Sequence, residues 1–181
     1  MYIRASNVKK YILTSLTLGL IAASGALLIA GTNMITKDRI AENETKSINN
    51  GIKTIYGNEA SIKETNNIDG ETYNYVTLRY VVDDNNDAPL GYAFRTTGSN
   101  NYGKISLIIG FNQDCIYKGL SVVTNEQSFA STLKKGYLDL IKDGSKTVDD
   151  VSVSCGATYG AKLVREMINE AQKAANDMKG I

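Results

Sequence analysis

The longest apolar run in the sequence lies near its N-terminus. Residues 11–36 carry no charged side chain, and residues 16–29 form the apolar centre of this run. At about 1.5 Å of rise per residue, a helix of this length exceeds a hydrocarbon core of roughly 30 Å. The run therefore predicts a transmembrane helix behind a short tail at residues 1–10. Small residues at 22–26 leave a cleaved signal peptide as the alternative, but the apolar run continues beyond them.

Basic residues flank the predicted span on both sides. Those before it are Arg4, Lys9 and Lys10, and those after it are Lys37, Arg39 and Lys46. The numbers balance, but Lys9 and Lys10 adjoin the span, and a short basic tail before a first hydrophobic helix usually stays cytoplasmic. We therefore predict a single-pass protein of the plasma membrane, with a cytoplasmic N-terminus and an extracytoplasmic C-terminal domain.

Helical periodicity continues beyond the span. Four isoleucines recur near helical spacing between positions 40 and 55, and Gly57 provides a stop signal. This pattern predicts a stalk helix at residues 37–57. The remaining residues, 58–181, are of the usual length for one soluble domain.

The soluble part begins with a polar stretch at residues 58–70, and the first clear strand pattern comes after it. Four runs rich in β-branched and aromatic residues then predict strands. They lie at residues 73–82, 90–97, 104–111 and 116–123. The turns between the last three are too short for the crossover that a parallel pair needs, so we expect antiparallel pairing. The Gly-rich residues 98–103 are expected to form a hairpin loop, with a phosphate cradle as the weaker alternative.

Two helices are predicted after the strands. The first covers about residues 127–142 and closes at Gly144. The second is better defined, because its apolar residues form one stripe at helical spacing and its charged residues lie opposite. The stripe consists of Val164, Met167, Ile168, Ala171, Ala174, Ala175 and Met178. We predict an α+β fold, with an antiparallel sheet and helices at its ends and on one face.

Composition narrows the possible chemistry. The chain has no histidine, which excludes histidine-based triads and removes the commonest metal ligand. Cys115 and Cys155 stand far apart without a CxxC spacing, so no zinc, iron–sulfur or thioredoxin-like site is predicted. Lys and Arg total 20 against 19 Asp and Glu, and this balance gives no electrostatic case for nucleic-acid binding. We assign no metal site and no catalytic residue.

The segment at residues 151–160, just before the last helix, is the strongest candidate for chemistry. A helix N-terminus presents unpaired N–H groups and the positive end of the helix dipole, and Gly156 and Ala157 let an anion approach the backbone. Thr158 adds a hydroxyl, which is a poor nucleophile without a neighbouring base. The segment is therefore a candidate phosphate seat. On spacing alone, however, the residues favour the commoner role of such side chains, in which Thr158 or Ser154 only caps the helix.

The pentapeptide at residues 155–159, Cys-Gly-Ala-Thr-Tyr, is followed by a helix and resembles the Ser/Thr-Gly-Ala-Thr flavinylation motif of the FMN-binding domain family. The runs at residues 90–94 and 102–111 are similar to strands of that family, and so is an anchor followed by a stalk helix. The resemblance covers nearly the whole chain. Members of the family include the G subunit of Rnf electron-transport complexes and the C subunit of sodium-pumping NADH:quinone reductases.

The resemblance implies that the Thr158 hydroxyl carries FMN as a phosphoester, attached by a separate flavin transferase. The chain would then be an electron-relay subunit of a membrane-bound, Rnf-like, ion-translocating oxidoreductase and not an enzyme by itself. Its partners would be the transferase and the other membrane subunits of the complex. The flavin site expected on this basis consists of Ser154, Cys155, Gly156, Ala157, Thr158, Tyr159 and Glu126.

Departures from the family pattern leave an alternative open. The motif usually has an aspartate six residues before the acceptor and a serine or threonine three residues before it, where this chain has Ser152 and Cys155. Asp149 and Asp150 lie slightly upstream and would substitute if the loop is shifted. A Glu-Thr-Pro-Gly-Leu-Gly stretch of the family retains only Glu126 here. The alternative is a membrane-anchored interaction or assembly protein with the same fold and no flavin.

Overall fold

Helix α1 (Ala5–Tyr56) runs without interruption through the predicted transmembrane and stalk segments. The computed structural model describes residues 5–68 and 72–180, so residues 1–4 of the predicted tail lie outside the described residues. Gly57 follows the helix with a φ of 109°, a backbone conformation that glycine adopts at little cost. The predicted stop at Gly57 is therefore confirmed, and no break separates residues 11–36 from residues 37–57.

Within the described residues, α1 is the one helix long and apolar enough to cross a membrane. Its large apolar side chains between Val8 and Ile35 are exposed, in agreement with the predicted transmembrane segment. Several hydroxyl groups in this segment donate to the backbone carbonyl four residues earlier, so these donors stay paired in a hydrocarbon environment. The bonds run from Thr14 to Lys10, Thr17 to Leu13, Ser24 to Leu20, Thr32 to Leu28 and Thr36 to Thr32.

Five strands follow and form one antiparallel sheet in sequence order. They are β1 (Ser61–Asn67), β2 (Val76–Asp83), β3 (Pro89–Asn100), β4 (Gly103–Asn112) and β5 (Tyr117–Asn125). The expected antiparallel pairing and the last three predicted strands are confirmed. The expected hairpin is also present, and its turn is confined to residues 101–102, where Asn100 pairs with Gly103.

Strand β1 lies within the polar stretch at residues 58–70, to which the sequence pattern assigns no element. Ser61–Asn67 pairs with β2 along the edge of the sheet. All of its side chains are exposed or half-buried, so the strand lacks the apolar alternation that marks a strand with one buried face. The first predicted strand also starts later than expected, at Val76.

The helices after the sheet differ in how closely they follow the prediction. The helix expected at residues 127–142 consists of α2 (Ala130–Leu133), a π-helical turn (Lys134–Leu138) and α3 (Asp139–Ile141). The final helix, α4 (Thr158–Lys179), is confirmed. It buries its predicted apolar stripe except for Met178 near its end.

Strand β4 divides the core between the two faces of the sheet. Every second residue belongs to the cluster that packs against α4, namely Ile105, Leu107, Ile109 and Phe111. Ile108, which points the other way, belongs to a second cluster with Ile48 and Ile52 of α1. The α+β class is therefore confirmed, and helices cover both faces of the sheet rather than one.

Tyr56 joins the end of α1 to the sheet. Its hydroxyl oxygen lies 2.6 Å from the carbonyl oxygen of Tyr92 and accepts a hydrogen bond from the N–H of Phe111 at 3.0 Å. Burial raises the pKa of Tyr56 well above its usual range, so the hydroxyl keeps the proton that it donates. Gly110 permits this approach, because a Cβ there would lie 2.6 Å from Cγ2 of Ile55 and 3.0 Å from the Tyr56 oxygen.

Replacing Tyr56 with phenylalanine would leave the buried N–H of Phe111 without this acceptor. A buried polar group that loses its partner costs about 1–3 kcal/mol. We expect Tyr56→Phe to lower the free energy of unfolding of the soluble domain by that amount, measured by urea titration with near-ultraviolet circular dichroism of the tyrosines. Tyr73→Phe is the matched control, because the Tyr73 hydroxyl donates to the exposed Asp177 carboxylate at 2.7 Å. Equal losses in the two variants would contradict this role of Tyr56.

Candidate functional site

Thr158 is the first residue of α4, and Ala157 occupies the N-cap position. No side chain caps the helix, and the Thr158 hydroxyl takes part in none of the hydrogen bonds among the described residues. The N–H of Ala161 donates to the carbonyl of Ala157 at 3.0 Å, so the N–H groups of residues 158–160 have no acceptor within the helix. The role that spacing alone favours, a helix cap by Thr158 or Ser154, is therefore wrong.

The start of α4 lines an open pocket of about 230 Å³, which we call the α4 pocket. Three segments build it: the tip of the β3–β4 hairpin, the residues leading into α2, and the first turn of α4. Its lining residues are Tyr102, Gln127, Phe129, Leu133, Gly156, Ala157, Thr158, Tyr159 and Gly160. Thr158 is half-buried and lines this pocket.

The hairpin at residues 98–103 supplies one part of the α4 pocket. The side-chain amide of Asn100 donates to the carbonyl of Tyr159 at 3.2 Å and holds the hairpin tip against the start of α4. The N–H of Ser128 donates to the carbonyl of Tyr102 at 2.7 Å and joins the tip to the segment before α2. The hairpin therefore contributes the Tyr102 side chain to the pocket.

Three aromatic side chains line the α4 pocket. The rings of Tyr102 and Tyr159 stack with their centroids 5.4 Å apart and their planes inclined by 23°. The ring centroid of Phe129 lies 6.0 Å from that of Tyr102, at an inclination of 53°. Exposed fractions are 38% for Tyr102, 51% for Phe129 and 63% for Tyr159. Ligand sites and partner interfaces often present exposed apolar side chains grouped in this way.

Gln127 is a buried polar side chain of the α4 pocket, with 6% of its surface exposed. Its Nε2 donates to the carbonyl of Gly103. Its Oε1 takes part in none of the hydrogen bonds among the described residues. A Cβ at Gly160 would lie 3.3 Å from this Oε1 and 3.0 Å from Cδ2 of Leu133, so glycine is the residue that lets α4 approach this closely.

Arg165 fixes the loop that precedes α4. Its Nη2 donates to the carbonyl of Val148 at 2.5 Å and to the carbonyl of Val151 at 2.8 Å. Burial raises the pKa of Tyr137, and the neighbouring Arg165 guanidinium offsets part of that rise. The loop is thus attached to the same helix that begins with Thr158.

Gly156 and Cys155 complete the approach to α4. Gly156 has a φ of 80°, and a Cβ there would lie 3.2 Å from Cγ2 of Thr132, so both conformation and space favour glycine. Cys155 packs against Gly136 in the π-helical turn. A Cβ added at Gly136 would lie 3.0 Å from the Cβ of Cys155. Cys155 and Cys115 are both free thiols.

The structure brings four of the seven predicted site residues together in the α4 pocket. These four are Gly156, Ala157, Thr158 and Tyr159. Ser154 and Glu126 are exposed and do not line the pocket, and Cys155 faces the π-helical turn instead. A binding role for any of the seven stays a prediction.

Five lining residues are not among the predicted site residues. They are Gly160, which ends the candidate segment at residues 151–160, and Tyr102, Gln127, Phe129 and Leu133. Gln127 and Phe129 lie just after Glu126, in a stretch that departs from the family pattern. The resemblance therefore identifies only Glu126 of this stretch as a site residue. The sequence does contain a signal for Tyr102. An aromatic residue in the turn of a tight hairpin cannot pack on either face of the sheet, so it is a candidate for another role. Nothing along the sequence indicates that this tip lies beside the start of α4.

Comparison with known proteins adds evidence from α1. Residues 8–55 match the family model of the RnfG N-terminal region. The chain therefore resembles the RnfG subunit, as its sequence predicted, and the match indicates an Rnf-type electron-transport subunit of a multi-subunit membrane complex. The resemblance to the C subunit of sodium-pumping NADH:quinone reductases stays a prediction. A search of curated proteins gave no match.

Arg165→Met keeps the aliphatic part of the side chain and removes both hydrogen bonds to the loop. Because the buried residues Val148 and Val151 would lose donors to their carbonyls, we expect about 1–3 kcal/mol less stability. We also expect faster hydrogen–deuterium exchange in residues 148–157. Lys162→Met is the matched control, since Lys162 is exposed on the same helix. Unchanged exchange of the loop in Arg165→Met would show that Arg165 does not fix it.

Proposed function

We propose that this chain is the electron-transfer subunit of an Rnf-type oxidoreductase and carries FMN as a phosphoester on Thr158. The observation that supports this most directly is the Thr158 hydroxyl, which lines the α4 pocket without a hydrogen bond to the described part of the protein. In this proposal, residues 1–10 are a cytoplasmic tail, residues 11–36 cross the membrane and residues 37–57 form a stalk. Residues 58–181 then form an extracytoplasmic FMN-binding domain.

The first turn of α4 fits the phosphate end of FMN. The N–H groups of residues 158–160 have no helical acceptor, and the positive end of the helix dipole lies at the same place. A negative charge at such a position is typically stabilised by about 0.3–1 kcal/mol when exposed. Gly156 and Ala157 carry little or no side chain, so they leave space for the phosphate oxygens.

Thr158 needs an external enzyme to form the ester. The chain has no histidine, and no base is hydrogen-bonded to the Thr158 hydroxyl among the described residues. A flavin transferase would form the bond between Thr158 Oγ and phosphorus from an activated flavin nucleotide. A nucleoside monophosphate would leave, and the hydroxyl proton would pass to a base of the transferase. In this step Thr158 is the acceptor and not a catalyst.

The covalent bond suits a redox subunit that works outside the cytoplasm. The isoalloxazine ring of FMN supplies one- and two-electron transfer when it is bound. The protein would hold the ring at a fixed place beside α4, and the ester would prevent loss of a water-soluble cofactor to the surroundings. Helix α1 would keep the domain beside the other membrane subunits of the complex.

A second function keeps the fold without the flavin. Ser152 and Cys155 replace two residues of the usual motif, and Asp150 is already engaged within the loop. Its carboxylate accepts hydrogen bonds from the N–H and the hydroxyl of Thr147 at 2.8 and 2.9 Å. If these changes prevent modification, the chain is an interaction or assembly subunit of the same membrane complex.

Thr158→Ala tests the attachment directly. The full chain, coexpressed with a flavin transferase, is expected to gain the mass of FMN less one water and to show flavin fluorescence on a denaturing gel. Thr158→Ala should lose both signals. Thr132→Ala is the matched control and should keep them, because Thr132 lies beside Gly156 but does not line the α4 pocket. A wild-type chain that always has the mass of the bare polypeptide would support the assembly function instead.

Restoring the usual motif tests the effect of its two departures. We expect Ser152→Asp combined with Cys155→Ser to raise the initial rate of flavin attachment, because both positions then carry the residues that the transferase motif usually contains. Ser152 is exposed and Cys155 is half-buried, so neither replacement introduces a charge into the core. The measurement is intact mass against time with purified transferase. An unchanged rate would mean that these two positions do not limit modification.

A further inference from the structure

The first turn of α4 is a weak piece of helix. Ala157 occupies the N-cap position and makes no side-chain hydrogen bond, although a capping side chain there would stabilise the turn. Gly160 lies within the turn, and only proline is less favourable than glycine inside a helix. From Ala161 onward the helix is held by packing, since Ala161, Leu163 and Val164 are buried in the core. The first turn therefore depends on contacts from outside the helix.

Two residues of the β3–β4 hairpin supply such contacts. Asn100 Nδ2 donates to the carbonyl of Tyr159 at 3.2 Å, and the ring of Tyr102 stacks on that of Tyr159 with the centroids 5.4 Å apart. Asn100 also orders the hairpin tip, because its Oδ1 accepts a hydrogen bond from the N–H of Tyr102 at 2.9 Å. We call Asn100 and Tyr102 the hairpin latch.

The closed turn restricts the approach of another protein to Thr158. Its side chain is half-buried in a pocket of about 230 Å³, and the hairpin tip is bonded to the next residue along the chain. Phosphoryl transfer to the Thr158 hydroxyl needs the attacking and leaving oxygens roughly in line with phosphorus. A transferase must therefore enclose the acceptor and its whole donor nucleotide in one cleft. An unwound turn would present Thr158 on an extended segment that can enter such a cleft.

We propose that the first turn of α4 opens locally, that the hairpin latch sets the population of the open form, and that a flavin transferase takes up Thr158 only in that form. Local opening of this kind costs less free energy than global unfolding. Thr158 Oγ then bonds to phosphorus, a nucleoside monophosphate leaves, and the hydroxyl proton passes to a base of the transferase. The transferase step rests on the proposed function, whereas the latch does not.

Two variants weaken the latch and leave the transferase motif at residues 152–158 unchanged. Asn100→Ala removes the hydrogen bond, and Tyr102→Leu removes the ring stack. In the full-length chain in detergent micelles, we expect each to accelerate amide hydrogen exchange of residues 161–163 by about two- to tenfold, as loss of one hydrogen bond or aromatic pair implies. These N–H groups donate to the carbonyls of residues 157–159 only while the turn is closed.

Ser99→Ala is the matched control, because Ser99 is exposed on the same hairpin and does not line the α4 pocket. Its exchange at residues 161–163 should equal that of the wild-type chain. Unchanged exchange in β4 verifies that each variant keeps its fold.

The same proteins are then incubated with an activated flavin nucleotide and a small amount of transferase, and intact mass is followed with time. Under these conditions attachment is slow relative to opening, so its rate follows the open population. We expect the initial rate to rise in Asn100→Ala and Tyr102→Leu by the same factor as the exchange, and to stay unchanged in Ser99→Ala.

Unchanged exchange in both latch variants would show that the hairpin does not hold the turn closed. Faster exchange with an unchanged attachment rate would show that the transferase needs no opening, while the covalent attachment itself would stand. Conversely, faster exchange in a chain that never gains FMN mass would contradict the proposed function and retain the latch. The two proposals therefore fail separately.

Discussion

The uncapped first turn of α4 is the constraint on which the arrangement around it depends. A serine, threonine, aspartate or asparagine at the N-cap would typically add about 1 kcal/mol, and Ala157 forgoes this contribution. Contacts from other segments position the helix end instead. Asn100 bonds to Tyr159, Gly160 packs beside Leu133, and Arg165 holds the preceding loop. The N–H groups at the start of α4 therefore face the α4 pocket without a hydrogen bond to a capping side chain.

The sheet makes this positioning rigid. Helix α4 packs on one face of it and the end of α1 packs on the other, so β4 is buried nearly throughout. A site supported by such elements is more precise than one supported by loops alone. The hairpin tip that carries Tyr102 extends directly from β3 and β4, so the same buried strands that form the core also fix one part of the α4 pocket.

The sequence predicts the helices and strands that have a periodic pattern. It does not predict which segments far apart in the sequence come into contact. The apolar run of α1, the strands β3 to β5 and the stripe of α4 each carry their own pattern, and each is confirmed. Strand β1 escapes prediction because its partner, and not its own pattern, makes it a strand. Gly156, Ala157, Thr158 and Tyr159 are found because they are contiguous. Tyr102 and Gln127 are missed because their proximity to α4 is set by the sheet and its hairpin.

The proposed covalent attachment explains why a small open pocket would suffice for a cofactor. At about 230 Å³, the α4 pocket lies below the roughly 300–1,000 Å³ typical of sites that enclose their ligand. Such a pocket alone would hold a soluble cofactor weakly. A tether makes ring binding intramolecular, with an effective concentration on the order of millimolar for a short flexible link. In the proposed function, weak contacts with the aromatic side chains of the α4 pocket would then suffice to place the ring, and the open side would leave it accessible to a redox partner.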